Sequence, residues 1–319
     1  MKLSKAIASL LAMILFATTV MPMAAGEPSV QQLHRDGRQL TLEISQEFEP
    51  AMQQNLADWV DFLADTLHQV YGYWPQQQWH VVINPTSGRT GDPIPWAQVK
   101  RDPVHTVEFY TVASASADEL RRAWTGYHEL AHLLIPYRGW GDAWFSEGLA
   151  SYYQNVLQAR AGLLSEQQMW QKLYEGYIRG VQQSQFNGIE LHTVSDNMRS
   201  NGGFMRVYWS GAWYFLTADA QLRQQSGGRT TLDDAIKKLN QCCSRERLSV
   251  PQMVRKLDQL NGSDLFVPLY EKTRTTTETP DFLPVMQSMG VIVNEGRVQL
   301  LGNRQQASLR RQIIGRRTL

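Results

Sequence analysis

The residues that can do chemistry lie close together. His128, Glu129 and His132 stand in an H-E-x-x-H arrangement, and Glu147 follows fifteen residues after His132 inside FSEGLASYY. Two histidines four apart on a helix share one face and can grip one metal ion. A carboxylate from a second helix can supply the third protein donor. Glu129 sits one residue off the histidine face, where it can reach a metal-bound water. That layout suits a zinc hydrolase, with zinc (Zn2+) held by His128, His132 and Glu147 and one position left for water. Glu129 is the expected general base: it takes the water proton and later passes it to a leaving amine. A bare H-E-x-x-H also arises by chance on ordinary helices. Here the motif falls on a segment that is independently helical, the second carboxylate has a helix of its own, and Gly148 beside Glu147 permits close approach. The pattern with a third histidine, H-E-x-x-H-x-x-G-x-x-H, fails, because Ile135 and Arg138 occupy the Gly and His places.

The elements that must position these residues follow from periodicity and breakers. Asp36-Gly37 separates two runs as a hairpin turn would, and residues 40–44 alternate apolar and polar. Residues 47–71 carry Met52, Leu56, Val60, Leu63, Leu67 and Val70 at helical spacing, and Pro75 lies beyond as a stop. Residues 79–83 and 104–112 read as strands, separated by a loop rich in Gly and Pro. Ser116 and Glu119 make a capping box that opens the H-E-x-x-H helix, expected to run through Leu134. Further helices are expected over 144–160, 165–183, 205–225, 231–240, 249–261 and 265–270, with a loop-rich segment over 187–203. Strands precede the motif and helices follow it. The expected class is α+β, with a small β-containing N-terminal lobe, a helical C-terminal lobe and the metal site at their seam.

The chain has 319 residues, a formal charge of +1, 10 Trp, 12 Tyr and 10 Phe. The aromatics support a packed core rather than a disordered chain, and the near-neutral charge gives no argument for nucleic acid. Lys2 and Lys5, the apolar residues 6–20 and the small residues Ala24, Ala25 and Gly26 read as a secretory signal peptide. The apolar run of about 15 residues is short for a bilayer span of about 20. The expected destination is across the inner membrane, in the periplasm or outside the cell. The only cysteines, Cys242 and Cys243, are adjacent and are expected as two thiols rather than a disulfide. Arg304, Arg310, Arg311, Arg316 and Arg317 give the end of the chain a basic character. It would suit an anionic membrane surface, but a solvated tail is the simpler reading. The expected divisions are 1–25, signal peptide; 26–115, N-terminal α/β lobe; 116–295, helical zinc-site lobe; and 296–319, basic C-terminal tail.

HELAH followed by WFSEGLASYY resembles the gluzincin peptidases, the clan of thermolysin and the zinc aminopeptidases. VYWSGAW followed by TTLDD, and the closing PDFLPVMQSMGV, are most similar to the glycyl aminopeptidase family, over about residues 104–291. The resemblance implies a two-lobed, thermolysin-like zincin that hydrolyses peptide bonds through a zinc-activated water. It implies that Tyr208 stabilises the oxyanion, with Tyr214 in reserve. In the family a carboxylate stands on the helix after the glutamate ligand. Here Ser151 and Gln154 occupy its expected places. The G-x-M-E-N motif that holds a substrate amine is absent, so endo- and aminopeptidase remain open. The strand over 104–112 stands where a substrate-pairing edge would lie, and its Glu108 is either an amine acceptor or an ordinary exposed carboxylate. The expected partner is a peptide or protein substrate. A second reading is a zinc-bearing protein that binds peptides with weak or no turnover. A third is a site covered in the free protein by residues 192–203. His34, His68, His80, His105 and His192 belong to no motif and read as ordinary histidines.

Overall fold

A computed structural model describes residues 29–88, 91–139 and 141–315. The expected signal peptide, its cut near Ala25, and Arg316 and Arg317 lie outside them. Strands β1 (Ser29–Arg35) and β2 (Arg38–Ile44) pair antiparallel across Asp36-Gly37, both at positive φ as a tight hairpin turn requires. Helix α1 (Pro50–Tyr71) crosses back over the sheet to β3 (Gln78–Thr86), which lies parallel to β2. The edge strand β4 (Trp96–Lys100) and β5 (His105–Val112) complete five strands in the order β1-β2-β3-β5-β4. β5 alternates as a half-covered strand should: His105, Val107, Phe109 and Thr111 are buried under the helices. Trp59 of α1 meets Phe109 edge to face at 4.9 Å between centroids.

The sheet corrects one expectation. β5 is interior, between β3 and β4, so the free edge belongs to β4. β4 is short and only half-buried, and a Gly/Pro-rich loop precedes it, so it leaves little periodic signal.

The helical part begins with α2 (Ala117–Arg122), opened by the reciprocal capping box of Ser116 and Glu119. A single long helix to Leu134 does not form. The chain turns extended at Ala123 (φ −63°, ψ 118°), restarts as α3 (Trp124–Ala131) and tightens into a 3-10 turn over His132–Leu134. Tyr127 donates to the carbonyl of Arg121 and so satisfies a group that the break leaves open. Then come α4 (Ala143–Arg160), α5 (Glu166–Val181), α6 (Leu191–Asn201), α7 (Phe204–Ser226) and α8 (Leu232–Cys243). They are followed by α9 (Val250–Asn261), α10 (Phe266–Arg274), α11 (Leu283–Ser288), the hairpin β6 (Val291–Asn294) and β7 (Arg297–Leu300), and α12 (Arg304–Ile314). α6 replaces the expected loop over 187–203. Its buried stripe is only Leu191, Val194, Ser195 and Met198, too sparse to stand out among polar residues.

α4 and α7 cross at a pair of glycines. A Cβ on Gly148 would lie 2.2 Å from the Gly211 carbonyl carbon, and one on Gly211 would lie 2.0 Å from the Trp144 carbonyl oxygen. No other residue fits either position without separating the helices.

Two further expectations are overturned. Residues 296–315 are not a solvated tail. β7 pairs with β6, and α12 buries Leu309 and Ile313 against the helices. Arg310, only 5% exposed, pairs with Glu166 at 2.7 Å and donates to the carbonyls of Met289, Gly290 and Leu301. An arginine-rich composition hid an amphipathic helix, and a boundary at 295 would cut the hairpin in its turn. Cys242 and Cys243 are bonded to each other at the end of α8, so they are not free thiols.

His105 carries a pH consequence. Burial, with the charges of Arg138 and Arg101, pushes its pKa down to about 4. The unfolded chain therefore takes up a proton near pH 6.5 that the folded chain refuses. Stability is full above that pH and falls towards pH 4, by up to about 3 kcal/mol. Urea unfolding at pH 7 and pH 4.5 should show this loss, and His105→Gln should reduce it.

Candidate functional site

Each donor has its own element. α3 presents His128 and, one position on, Glu129. The 3-10 turn that continues it presents His132, and the first turns of α4 present Glu147. The donor atoms of His128, His132 and Glu147 all lie within 4.8 Å of one another. Nε2 of His128 is 3.2 Å, and Nε2 of His132 3.6 Å, from the same Glu147 Oε2. Tetrahedral zinc with bonds of about 2.1 Å holds its donors about 3.4 Å apart, so each histidine nitrogen stands at a fitting separation from that oxygen.

The other ring nitrogens are committed elsewhere. Nδ1 of His128 is 2.9 Å from Gln154 Oε1, and Nδ1 of His132 is 2.9 Å from Ser146 Oγ. Such partners fix ring orientation and leave Nε2 for a metal. Of the two places where the family resemblance leads one to expect a carboxylate, Gln154 is the one hydrogen-bonded to a histidine ring. Gln154→Ala should weaken zinc binding about 10- to 100-fold, as loss of such a partner does. Gln154→Glu should retain or tighten it. Chelator competition reads both; unchanged affinity in Gln154→Ala would remove the positioning role.

The electrostatics reinforce the cluster. Burial works against ionisation of Glu147, but the charge of His132 and the hydrogen bond from His128 hold its pKa far below the usual carboxylate range. Burial works against protonated His128, yet its contact with Glu147 and the charge of Glu129 leave its pKa raised. Burial pushes Glu129 up, with the two histidines pulling it back. Glu129 is thus a carboxylate whose hold on a proton is strengthened.

Tyr208 comes to the site from α7. Its ring stacks on His128 at 5.7 Å between centroids and 23° between planes. Burial, with the charges of Glu147 and Glu129, pushes the pKa of its hydroxyl well up. It keeps its proton and acts only as a donor. Tyr214 is elsewhere: it packs on Trp144 and Phe145, and its hydroxyl donates to the Phe266 carbonyl. Tyr214 is therefore no reserve for Tyr208. Glu108 is bound by Gln98 at 2.6 Å and Lys100 at 2.5 Å on the sheet surface, so it is already partnered.

Two participants were missed in the sequence. Ser146 is one, and adjacency to Glu147 was the only clue. Arg101, just past β4, is the other. Its guanidinium lies 3.4 Å from Ser146 Oγ and 5.2 Å from the Tyr137 ring centroid. Burial lowers its pKa, and the charges of Glu147 and Glu129 oppose that. Arg101 thus brings a positive charge from the sheet lobe to the carboxylates of the site, and nothing local in the sequence marks it.

The family model for M61 glycyl aminopeptidases matches residues 140–214. No curated protein matches the chain in sequence. Among solved structures, an aminopeptidase N family protein from Idiomarina loihiensis is 17% identical, with a TM-score of 0.64 over 84% of this chain and 50% of its own. An M1 zinc metallopeptidase from Deinococcus radiodurans, a mutant bound to a Tyr-Ser-Ala substrate, is 12% identical, with a TM-score of 0.53 over 80% of this chain and 54% of its own. The chain spans about half the length of these structures. In fold it is similar to these zinc metallopeptidases, and over residues 140–214 it resembles the M61 glycyl aminopeptidases; its own His128, His132 and Glu147 form a cluster that could hold a metal ion.

Proposed function

We propose that this protein is an exported zinc-dependent peptidase in which Glu129 is the general base. The observation that carries the reading is the meeting of both histidine Nε2 atoms at one Glu147 oxygen, with Glu129 next to His128 on the same helix. When bound, zinc would be held by His128, His132 and Glu147, and would supply a Lewis acid that brings the pKa of a water towards about 7.

The chain's own residues do the rest. Glu129 accepts the proton of the attacking water and returns it to the leaving amine. Burial pushes its pKa up, which strengthens its hold on a transferred proton. Tyr208 offers its hydroxyl to the carbonyl oxygen as charge develops there. Arg101 balances the carboxylates with a nearby positive charge. The free edge of β4 offers backbone groups to an extended peptide. Export rests on residues 1–25 read as a signal peptide, and it places the substrate in the periplasm or outside the cell. Among the described residues no helix is long and apolar enough to cross a membrane.

Gln154 favours a second reading. A neutral partner on His128 makes a weaker ligand orienter than a carboxylate, as a zinc-bearing peptide binder with little turnover would tolerate. One experiment separates the two. Mixed peptides are offered from pH 5 to 9 to protein of measured zinc content, before chelation, after it, and after zinc is restored. Cleavage that disappears and returns with zinc is the expected result. A full equivalent of zinc with no cleavage anywhere in that range would establish the binder instead. Acetylated and free N-termini in the same mixture decide between endo- and aminopeptidase.

A further inference from the structure

The C-terminal helix α12 passes the turn between α7 and α8, and a cavity of about 520 Å³ lies at that junction. Three arginines from three stretches of chain line it: Arg223 near the end of α7, Arg229 in the turn and Arg311 on α12. The junction is closely built. Gln312 of α12 lies against Gly228, where a Cβ would fall 2.3 Å from its amide oxygen. Gly228 has φ +84°, and its N–H donates to the Arg223 carbonyl at 2.7 Å. The positive charge at the junction exceeds what nearby carboxylates take up. Arg223 is 1% exposed. Its Nε donates to Asp219 Oδ1 at 2.9 Å, while Nη1 is buried with no hydrogen-bond partner among the described residues. Asp219 has little left to give. The same oxygen accepts from the Leu232 N–H at 2.8 Å, and the other accepts from the Tyr152 hydroxyl at 2.7 Å. Arg229 and Arg311 are exposed, and among the described residues neither forms an ion pair. The carboxylate on the lining, Asp234, has one oxygen that accepts from the Thr231 N–H at 3.0 Å and from the Thr231 hydroxyl at 2.7 Å.

We propose that this cavity binds a phosphate group, either as free phosphate or as the phosphomonoester end of a larger molecule. The donors argue for the class. A guanidinium is a planar fork that matches two phosphate oxygens at once. Three of them, arriving from three stretches of chain, suit a tetrahedral group with several oxygens better than a flat carboxylate. The hydroxyl of Ser308, one turn before Gln312 on α12, adds a neutral donor to the lining. The volume lies within the roughly 300–1,000 Å³ of small-molecule sites, so the phosphate can arrive attached to an organic body. A phosphate shared by Arg311 and Arg229 ties α12 to the α7–α8 turn. It thus braces the helix whose Ile313 carbonyl receives Arg160, at the end of α4. The inference is independent of the peptidase reading, because none of these residues belongs to the His-His-Glu cluster.

The test reads binding to the zinc-loaded full chain at constant ionic strength. Inorganic phosphate and glycerol phosphate are titrated by calorimetry. Phosphatidylcholine vesicles with and without phosphatidic acid are tested by co-sedimentation. Arg229→Gln and Arg311→Gln should each weaken binding at least about tenfold, the worth of one hydrogen-bonded charge. Arg304→Gln removes an equal charge from the same helix outside the cavity, and it should leave the affinity within about twofold. All three arginines are exposed, so the variants should fold, and a melt without phosphate checks this. Phosphate should raise the melting point of the wild type, and much less that of Arg311→Gln. Binding of the soluble compounds alone identifies a solute as the source; binding of the phosphatidic acid vesicles alone identifies a membrane. No binding to any of these probes, equal weakening by Arg304→Gln, or binding that survives the joint Arg229→Gln and Arg311→Gln substitution would each overturn the site. Phosphate held at the metal instead falls under the last outcome.

Discussion

Replacing Glu129 by Gln should lower kcat by about 10²- to 10⁴-fold, the usual worth of a positioned general base, while the zinc content stays unchanged. The reason is geometric. The cluster that could hold the metal is His128, His132 and Glu147, and Glu129 is not part of it. An amide keeps the shape of the carboxyl and loses its capacity to take a proton. Folding should not suffer, because Gln removes a charge that burial already disfavours at this position. Zinc stoichiometry by mass spectrometry, a thermal melt and single-turnover kinetics on a cleaved peptide make the three measurements. Cleavage at the wild-type rate would end the general-base assignment. Loss of zinc together with activity would move Glu129 into the donor set.

Gly211→Ala should cost about 3 kcal/mol of stability and loosen zinc at the same time. Its Cβ would need to sit 2.0 Å from the backbone oxygen of Trp144 and 2.7 Å from the Cα of Gly148, and backbone cannot turn aside as a flexible side chain can. Overpacking of this kind typically costs 1–3 kcal/mol when only side chains must move, so a backbone clash belongs at the upper end. For a chain of this size the melting point should fall by roughly 5 °C. The local effect discriminates further. Gly148 is next to Glu147, and Tyr208, whose ring stacks on His128, lies one turn before Gly211, so separating α4 from α7 pulls the third donor away from the other residues of the site. Zinc affinity should drop in protein that is still folded at low temperature. An unchanged melting point would show that the two helices have slack, and unchanged affinity would show that their crossing does not set the site.

The parts of the site legible in the sequence were those that local spacing fixes. His128, Glu129 and His132 share about one turn of chain, and Glu147 announces itself by heading a second helix. The capping box of Ser116 and Glu119 was equally local, and it forms. Tyr208 needed the family resemblance, because nothing in its neighbourhood separates it from Trp209, Trp213 or Tyr214. Ser146 and Arg101 were invisible for another reason. Each is a single polar residue whose meaning comes from what lies across space, and Arg101 arrives from the sheet lobe. The break at Ala123 escaped because an apolar helical period continues through it. The C-terminal hairpin and α12 escaped because arginine content outweighed two buried apolar residues. β4 and α6 were too short or too polar to carry a period.

The helix that carries Glu147 ends at Arg160, and that end is fastened by distant parts of the chain. Arg160 is ion-paired with Asp233 at 2.9 Å and donates to the carbonyl of Ile313, 153 residues away. A ribosome delivers His128 and His132 long before either clamp exists. While the protein is being made, its histidines are present but the helix that must oppose them is not yet held. The far end of the helix that carries Glu147 is therefore fastened only after residues 304–314 have emerged and docked.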